Sequence, residues 1–266
     1  MAVLAQPAFG TNGLHTLYPQ VVRSTLSASV VRFISLGSES FASRLTVPPS
    51  DTLVIGHGES PRPKDFVFWG LKQFGAVLKA SLDFVQTLDA AAPPPVVVAH
   101  SAGGGLSQWT IENTDVRVSA LICIGAIPPF GLLRVYKNWL ATDLYLYPRL
   151  LWHGGDMKSP LSTPQLVRRV FFSQQFPEGR LEEFFRNMNQ EESVTWPMNM
   201  VGRFVQPLLV RSRVPEGRIF WVAGEHDVLV DPVITKDAAA EYGVDMAVVK
   251  GAGQWRISPS VLLSDL

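Results

Sequence analysis

The sequence predicts an α/β fold, with a mostly parallel sheet flanked by helices. Two observations support this prediction. Short apolar runs alternate with stretches of helical periodicity, which is the order of elements in α/β domains. The runs are also apolar at consecutive positions, which is typical of parallel strands covered on both faces. The predicted strands are Val30–Ile34, Asp51–Ile55, Val96–Ala99, Val118–Ala126, Arg218–Ala223 and Asp245–Lys250.

Helices are predicted between these strands. Apolar residues recur at three- and four-residue steps from Leu71 to Leu88, which gives one apolar face. The triple proline Pro93–Pro95 separates this helix from the next strand. Near the other end of the chain, Asp231-Pro232 is a typical helix start and Gly243 a typical residue just after a helix end.

The segment 128–215 contains no convincing strand and is too long for a simple connection. We expect it to be an inserted helical cap on a core formed by residues 1–127 and 216–266. Its predicted helices are Leu132–Leu140, Thr163–Phe172 and Gly179–Asn189.

Composition excludes several classes of protein. The 266 residues carry 23 Lys+Arg and 23 Asp+Glu, so the excess of positive charge typical of nucleic-acid binding is absent. No apolar run reaches the ~18 residues of a transmembrane helix, and we expect neither a signal peptide nor a membrane span. Cys123 is the only cysteine, which excludes an intrachain disulfide and fits a cytoplasmic location. No metal or nucleotide motif is present, so we expect no metal and no cofactor; the oligomeric state is left open.

The strongest functional signal is the stretch Val96–Gly105, VVVAHSAGGG. It has the form of a nucleophile elbow, G-x-S-x-G, with Ala99 in the first glycine place, Ser101 as nucleophile and Gly103 after it. The serine of such an elbow lies in a sharp strand-to-helix turn, so the residues two positions away must be small. The backbone N–H of Ala102 would then point to a developing oxyanion.

At this elbow the sequence resembles the α/β-hydrolase superfamily, and within it the capped serine hydrolases. Four stretches carry the resemblance: Gly56–Pro63, the elbow, Ile124–Leu133 and Val222–Pro232. The resemblance implies hydrolysis of an ester, lactone or thioester through an acyl-serine. It further implies that Asp227 is the acid of the triad, and that Leu36 donates the second oxyanion N–H beside Ala102.

The catalytic histidine of this family is missing from its usual place. The matching stretch, Gly251–Gln254, has glutamine where the family has histidine. Glutamine cannot accept a proton from Ser101, so we expect impaired catalysis. His153 and His226 are candidate surrogate bases. Since the final helix of the family also has no counterpart, we hypothesise a changed frame or an alternative splice after Gly253.

Aromatic residues are dense in the predicted cap. We expect most of them to form its core and some to line an apolar pocket for a small apolar molecule. The predicted substrate-binding residues are Phe130, Tyr136, Trp139, His153 and Trp196.

Two alternatives stay open. One is an inactive homologue that binds a small apolar ligand or a partner, which would show ligand binding without labelling of Ser101. The other is a lyase or isomerase of secondary metabolism in the same pocket, whose activity would survive Ser101→Ala.

Overall fold

In the computed structural model, the described residues include six strands that form one sheet; from one edge to the other they are the second, first, third, fourth, fifth and sixth strands along the chain. The structure describes residues 31–34, 50–52, 63–88, 90–153, 159–172, 174, 176–188 and 192–253. The strands are β1 (Val31–Ile34), β2 (Ser50–Thr52), β3 (Val96–His100), β4 (Ala120–Ile124), β5 (Ile219–Gly224) and β6 (Met246–Val249). Each of them overlaps a strand predicted from the sequence.

The sheet is mostly parallel, as predicted. Strands β3, β4, β5 and β6 pair in parallel, in register Val97 to Leu121 and Cys123 to Trp221. Strand β1 is the exception, because it runs antiparallel to both β2 and β3. The apolar pattern of a strand carries no information on direction, so the sequence did not predict this reversal.

Helices follow most strands and cover the sheet. Helix α1 (Leu71–Leu88) precedes β3, α2 (Ser101–Asn113) follows it, and α9 (Pro232–Glu241) joins β5 to β6. The described residues between β4 and β5 contain helices and no strand. These helices are α3 (Leu133–Thr142), α4 (Leu146–Trp152), α5 (Pro164–Phe171), α6 (Glu178–Asn187), α7 (Thr195–Met198) and α8 (Pro207–Arg211).

The division into a core and a cap stays a prediction. The helical segment 128–215 contributes Leu132, Val135, Val170 and Met200 to the same hydrophobic core that contains the sheet residues. These contacts join the segment to the sheet through shared apolar packing. None of the helices in the described part of the chain is long and apolar enough to cross a membrane.

Helix ends follow the local chemistry that the sequence shows. The Asp231 side chain accepts a hydrogen bond from Ile234 N–H at 2.7 Å and caps α9. Thr163 caps α5 in the same way, through Leu166 N–H at 3.3 Å. Gly243 has a φ of +63° just after α9, a conformation that glycine adopts without strain.

Candidate functional site

The turn between β3 and α2 is strained at Ser101. His100 is extended, with a φ of −111°, and Ser101 immediately takes a φ of +52°. Ser101 is the one non-glycine residue with positive φ among the described residues. A non-glycine residue in this region is uncommon, and such strain clusters at functional sites. The structure thus confirms the strand-to-helix turn that the elbow motif requires.

Small residues around Ser101 let two chain segments approach closely. Ala99 is fully buried and Gly103 is buried, as expected for the positions two residues before and after the serine. A Cβ added at Gly104 would lie only 2.2 Å from the Cβ of Ala126. Glycine at this position therefore allows the loop after β4 to pack directly on the first turn of α2.

A hydrogen-bonded clamp holds that loop against the elbow. Ile127 N–H donates to Ser101 O at 3.0 Å. Gln108 Nε2 donates to the carbonyl oxygens of Ile127 and Gly104, both at 2.9 Å, and Gln108 Oε1 accepts from the Tyr242 hydroxyl at 2.9 Å. Gln108 and Tyr242 are both fully buried. Sequence reasoning missed this clamp; the one available signal was that Gln108 lies two helical turns after Ser101, on the same face.

Asp227 is a buried carboxylate just after β5. Its exposed fraction is 3%, and its Oδ1 accepts hydrogen bonds from Leu229 N–H and Val230 N–H, each at 3.0 Å. Its Oδ2 is buried and has no hydrogen-bond partner among the described residues. The side chain is thus fixed through one oxygen while the other remains available to a donor.

Burial above all, and to a smaller extent the nearby Asp231 carboxylate, raises the pKa of Asp227 to about 7. The hydrogen bonds from Leu229 and Val230 act in the opposite direction, because they stabilise the charged form. A hydrogen-bond donor or a cation at Oδ2 would lower this pKa again.

The chain after β6 runs beside the loop that carries Asp227. His226 N–H donates to Ala252 O at 2.8 Å, and Gly251 N–H donates to the Glu225 side chain at 2.7 Å. A Cβ at Gly224 would lie 2.6 Å from Ala252 O, so glycine permits this approach. Gln254 follows directly in the sequence and lies outside the described residues, as do Leu36 and the first stretch of the resemblance up to residue 62.

The contacts of the two candidate surrogate bases, His153 and His226, are with residues other than Ser101 and Asp227. The His226 side chain is 62% exposed and its Nε2 lies 3.9 Å from Glu225 Oε2. His153 is exposed at the end of α4, where its Nδ1 lies 2.8 Å from Ser159 Oγ. Neither contact joins a histidine to Ser101 or Asp227. Their role as bases therefore stays a prediction.

The predicted pocket aromatics are partly buried and pack against the main hydrophobic core. The Trp196 ring lies edge-on to Phe74 at 4.9 Å, and Arg134 lies 5.4 Å from the centre of the Phe130 ring. Tyr136 and Trp139 lie on α3, and the buried Nε1 of Trp139 has no partner in the described part of the chain. These contacts join the helical segment to the rest of the fold. A role in binding substrate stays a prediction.

The sheet topology places Ser101 and Asp227 at the same edge. Both follow the carboxyl ends of parallel strands, and β4 lies between those strands. Ligands of open α/β sheets bind outside the carboxyl ends of the strands. Ala102 lies in the first turn of α2, a helix of 13 residues whose N-terminal N–H groups favour negative charge. A hydroxyl, a carboxylate and an anion-stabilising helix end thus belong to one edge of the sheet.

The protein thus has an α/β fold in which a serine with a strained backbone conformation lies where a strand meets a helix. A model of the alpha/beta hydrolase family matches residues 33–262. Because the match spans most of the chain, the chain belongs to the α/β hydrolase family, and the resemblance to the α/β-hydrolase superfamily is confirmed.

Solved structures share the fold at low sequence identity. A carboxylesterase of the ammonia-oxidizing thaumarchaeon Nitrososphaera gargenis is 16% identical, with a TM-score of 0.53 over 82% of this chain and 76% of that one. A methylesterase from Arabidopsis is 15% identical, with a TM-score of 0.53 over 81% and 84%. A thermophilic esterase from Thermogutta terrifontis is 14% identical, with a TM-score of 0.56 over 82% and 76%. None of the curated proteins compared with the chain matches it.

Proposed function

We propose that this chain has the site of a serine hydrolase for carboxylic esters, impaired by glutamine at the position of the histidine. The observation that carries the proposal is Ser101, held at a φ of +52° between β3 and α2. A strand can connect to a helix without a serine in a strained backbone conformation. A catalytic nucleophile, in contrast, has to project from such a sharp turn. Three of the structurally similar proteins are named as esterases, which favours an ester over a lactone or thioester.

The chemistry follows from the residues. The Ser101 hydroxyl attacks the ester carbonyl, and the N–H of Ala102, with that of Leu36, stabilises the oxyanion. The alcohol leaves, and water then releases the acid from Ser101. The aromatic residues Phe130, Tyr136, Trp139 and Trp196 are proposed to bind an apolar acyl or alcohol group, with the helical segment 128–215 as a cap, in a cytoplasmic enzyme.

Both steps need a group that takes the proton of the attacking hydroxyl and returns it to the leaving oxygen. Asp227 is buried and oriented for a donor at its Oδ2, as the acid of a triad must be. Gln254 has an amide, which donates and accepts hydrogen bonds but does not exchange protons at neutral pH. We therefore propose that the chain retains the nucleophile and the acid but lacks an efficient base.

Hydrolysis of p-nitrophenyl acetate by the purified chain tests the serine. We expect slow turnover that is lost in Ser101→Ala and kept in Ser212→Ala, a control on an exposed serine. Equal rates in the wild type and in Ser101→Ala would contradict a serine nucleophile in this chain.

A second candidate is a ligand-binding homologue without turnover. It is favoured by the Asp227 carboxylate, because none of the described residues, and so no base among them, forms a hydrogen bond with its buried Oδ2. Binding of an apolar ester that is neither hydrolysed nor attached to Ser101 would support this candidate against the first one.

A further inference from the structure

Large apolar side chains are concentrated on the surface around α4. Within the nine residues 144–152, five large hydrophobic side chains are exposed: Leu144 by 72%, Tyr145 by 70%, Tyr147 by 48%, Leu151 by 80% and Trp152 by 88%. We call these five residues the α4 patch. Single exposed apolar residues are ordinary, but such a cluster marks an interaction site.

Positive charge accompanies the α4 patch. Arg149 Nη1 lies 2.6 Å and Arg169 Nη1 lies 3.6 Å from the carboxylate of Asp143, which is 1% exposed. Two guanidinium groups thus face one buried carboxylate, and Lys137 is exposed on the preceding helix. The other cation of α3, Arg134, is paired with Asp237.

Acidic residues are scarce in the stretch of sequence that contains the patch. In 133–153, Asp143 is the only acidic residue, although the whole chain has equal numbers of acidic and basic residues. The segment 133–153 thus carries three Lys and Arg residues and one acidic residue in a chain without net charge.

We propose that the α4 patch binds peripherally to an anionic lipid surface. Leucine, tyrosine and tryptophan on one short element, next to arginine and lysine, have the composition of segments that lie at the membrane–water interface. The aromatic and aliphatic groups enter the headgroup boundary, while the half-exposed Arg169 and the exposed Lys137 face the phosphate layer.

The same charges disfavour a second copy of the chain as the occupant. A two-fold symmetric interface places identical patches against each other. The patch would then face its own cations across the interface, and like charges destabilise such a contact. An anionic lipid surface satisfies both the apolar side chains and the cations.

Sedimentation of the purified full chain with lipid vesicles tests this proposal. The vesicles are phosphatidylcholine alone, or equal parts of phosphatidylcholine and phosphatidylserine. We expect binding to the anionic vesicles that weakens with added salt, because salt screens exposed charges. The double variant Leu151→Ser/Trp152→Ser should bind about ten-fold more weakly, since it removes the two most exposed apolar groups of the patch.

A matched control is Leu208→Ser/Val233→Ser, which replaces residues exposed by 73% and 60% on α8 and α9. All four residues are at the surface, so neither double variant should lose the fold. We expect the control to bind vesicles as the wild type does. Absent or equal binding to both vesicle types, or equal binding by Leu151→Ser/Trp152→Ser, would overturn the proposal. A dimer in gel filtration that this variant abolishes would also overturn it, in favour of self-association.

Discussion

Among single residues, Ser101 and Asp227 each have a feature that lowers the stability of the folded state. Ser101 adopts a backbone conformation that costs of order 1–3 kcal/mol in a non-glycine residue. Asp227 is a carboxyl group held out of water with one oxygen unpartnered by the described residues. Neither feature stabilises the protein, so both indicate selection for something other than stability.

Asp227 should make stability depend on pH. Its pKa is raised from 3.8 to about 7 in the folded state, so the folded state keeps a proton that the unfolded state has lost. The contribution of Asp227 to the free energy of unfolding is therefore most favourable below pH 3.8 and decreases as the pH rises towards 7. The loss is about 4 kcal/mol, because each pKa unit corresponds to about 1.4 kcal/mol.

The variant Asp227→Asn cannot ionise. We expect its free energy of unfolding in urea to match the wild type near the acid end and to exceed it by a few kcal/mol at pH 8. The amide oxygen of asparagine can still accept the hydrogen bonds from Leu229 N–H and Val230 N–H. The variant and the wild type therefore differ mainly in the ionisation of this side chain. An equal difference between the two proteins at both pH values would mean that Asp227 does not titrate in this range.

At the scale of elements, the elbow is stabilised by neighbours that are distant in sequence. Helix α2 contacts the loop after β4 through Ile127, and the end of α9 through Tyr242. Gln108 joins both contacts, since its amide nitrogen serves one and its amide oxygen the other. This fully satisfied, buried network fixes the position of the turn that carries Ser101.

A double-mutant cycle tests the clamp. Tyr242→Phe leaves Gln108 Oε1 without its donor, while Gln108→Leu leaves the Tyr242 hydroxyl without its acceptor and the Ile127 carbonyl without its donor. We expect each change to lower the free energy of unfolding by about 1–3 kcal/mol. The double variant should be less destabilised than the sum of the two, because they share one network. Strictly additive effects would show that the two side chains act independently.

Most helix ends and the turn at Ser101 could be predicted, because the sequence patterns that determine them are local. The caps at Thr163 and Asp231, the end at Gly243 and the turn at Ser101 depend on a few adjacent residues, and the structure has all of them. The direction of β1 and the Gln108 clamp depend on pairing between segments far apart. The hydrogen bonds that orient Asp227 come from backbone N–H groups, which every residue type except proline has, so the sequence gives no sign of them.

Across the protein as a whole, the order of the strands places the candidate catalytic residues at one edge of the sheet. Ser101 follows β3, Asp227 follows β5, and the chain after β6 runs along the Asp227 loop up to Gly253. The family match at 33–262 includes this edge. We propose that the site lacks only a base, and that this base would belong at position 254.

Hydrolysis of p-nitrophenyl acetate by the variant Gln254→His tests this proposal. A restored imidazole can take the Ser101 proton while donating to Asp227 Oδ2, so we expect kcat/KM to rise by about 100-fold or more. The control Gln165→His adds a histidine at an exposed position of α5 and should change nothing. A rise that vanishes in Gln254→His/Ser101→Ala is the predicted result. No rise in a folded Gln254→His protein, or a rise that persists without Ser101, would contradict a serine site that lacks its base at position 254.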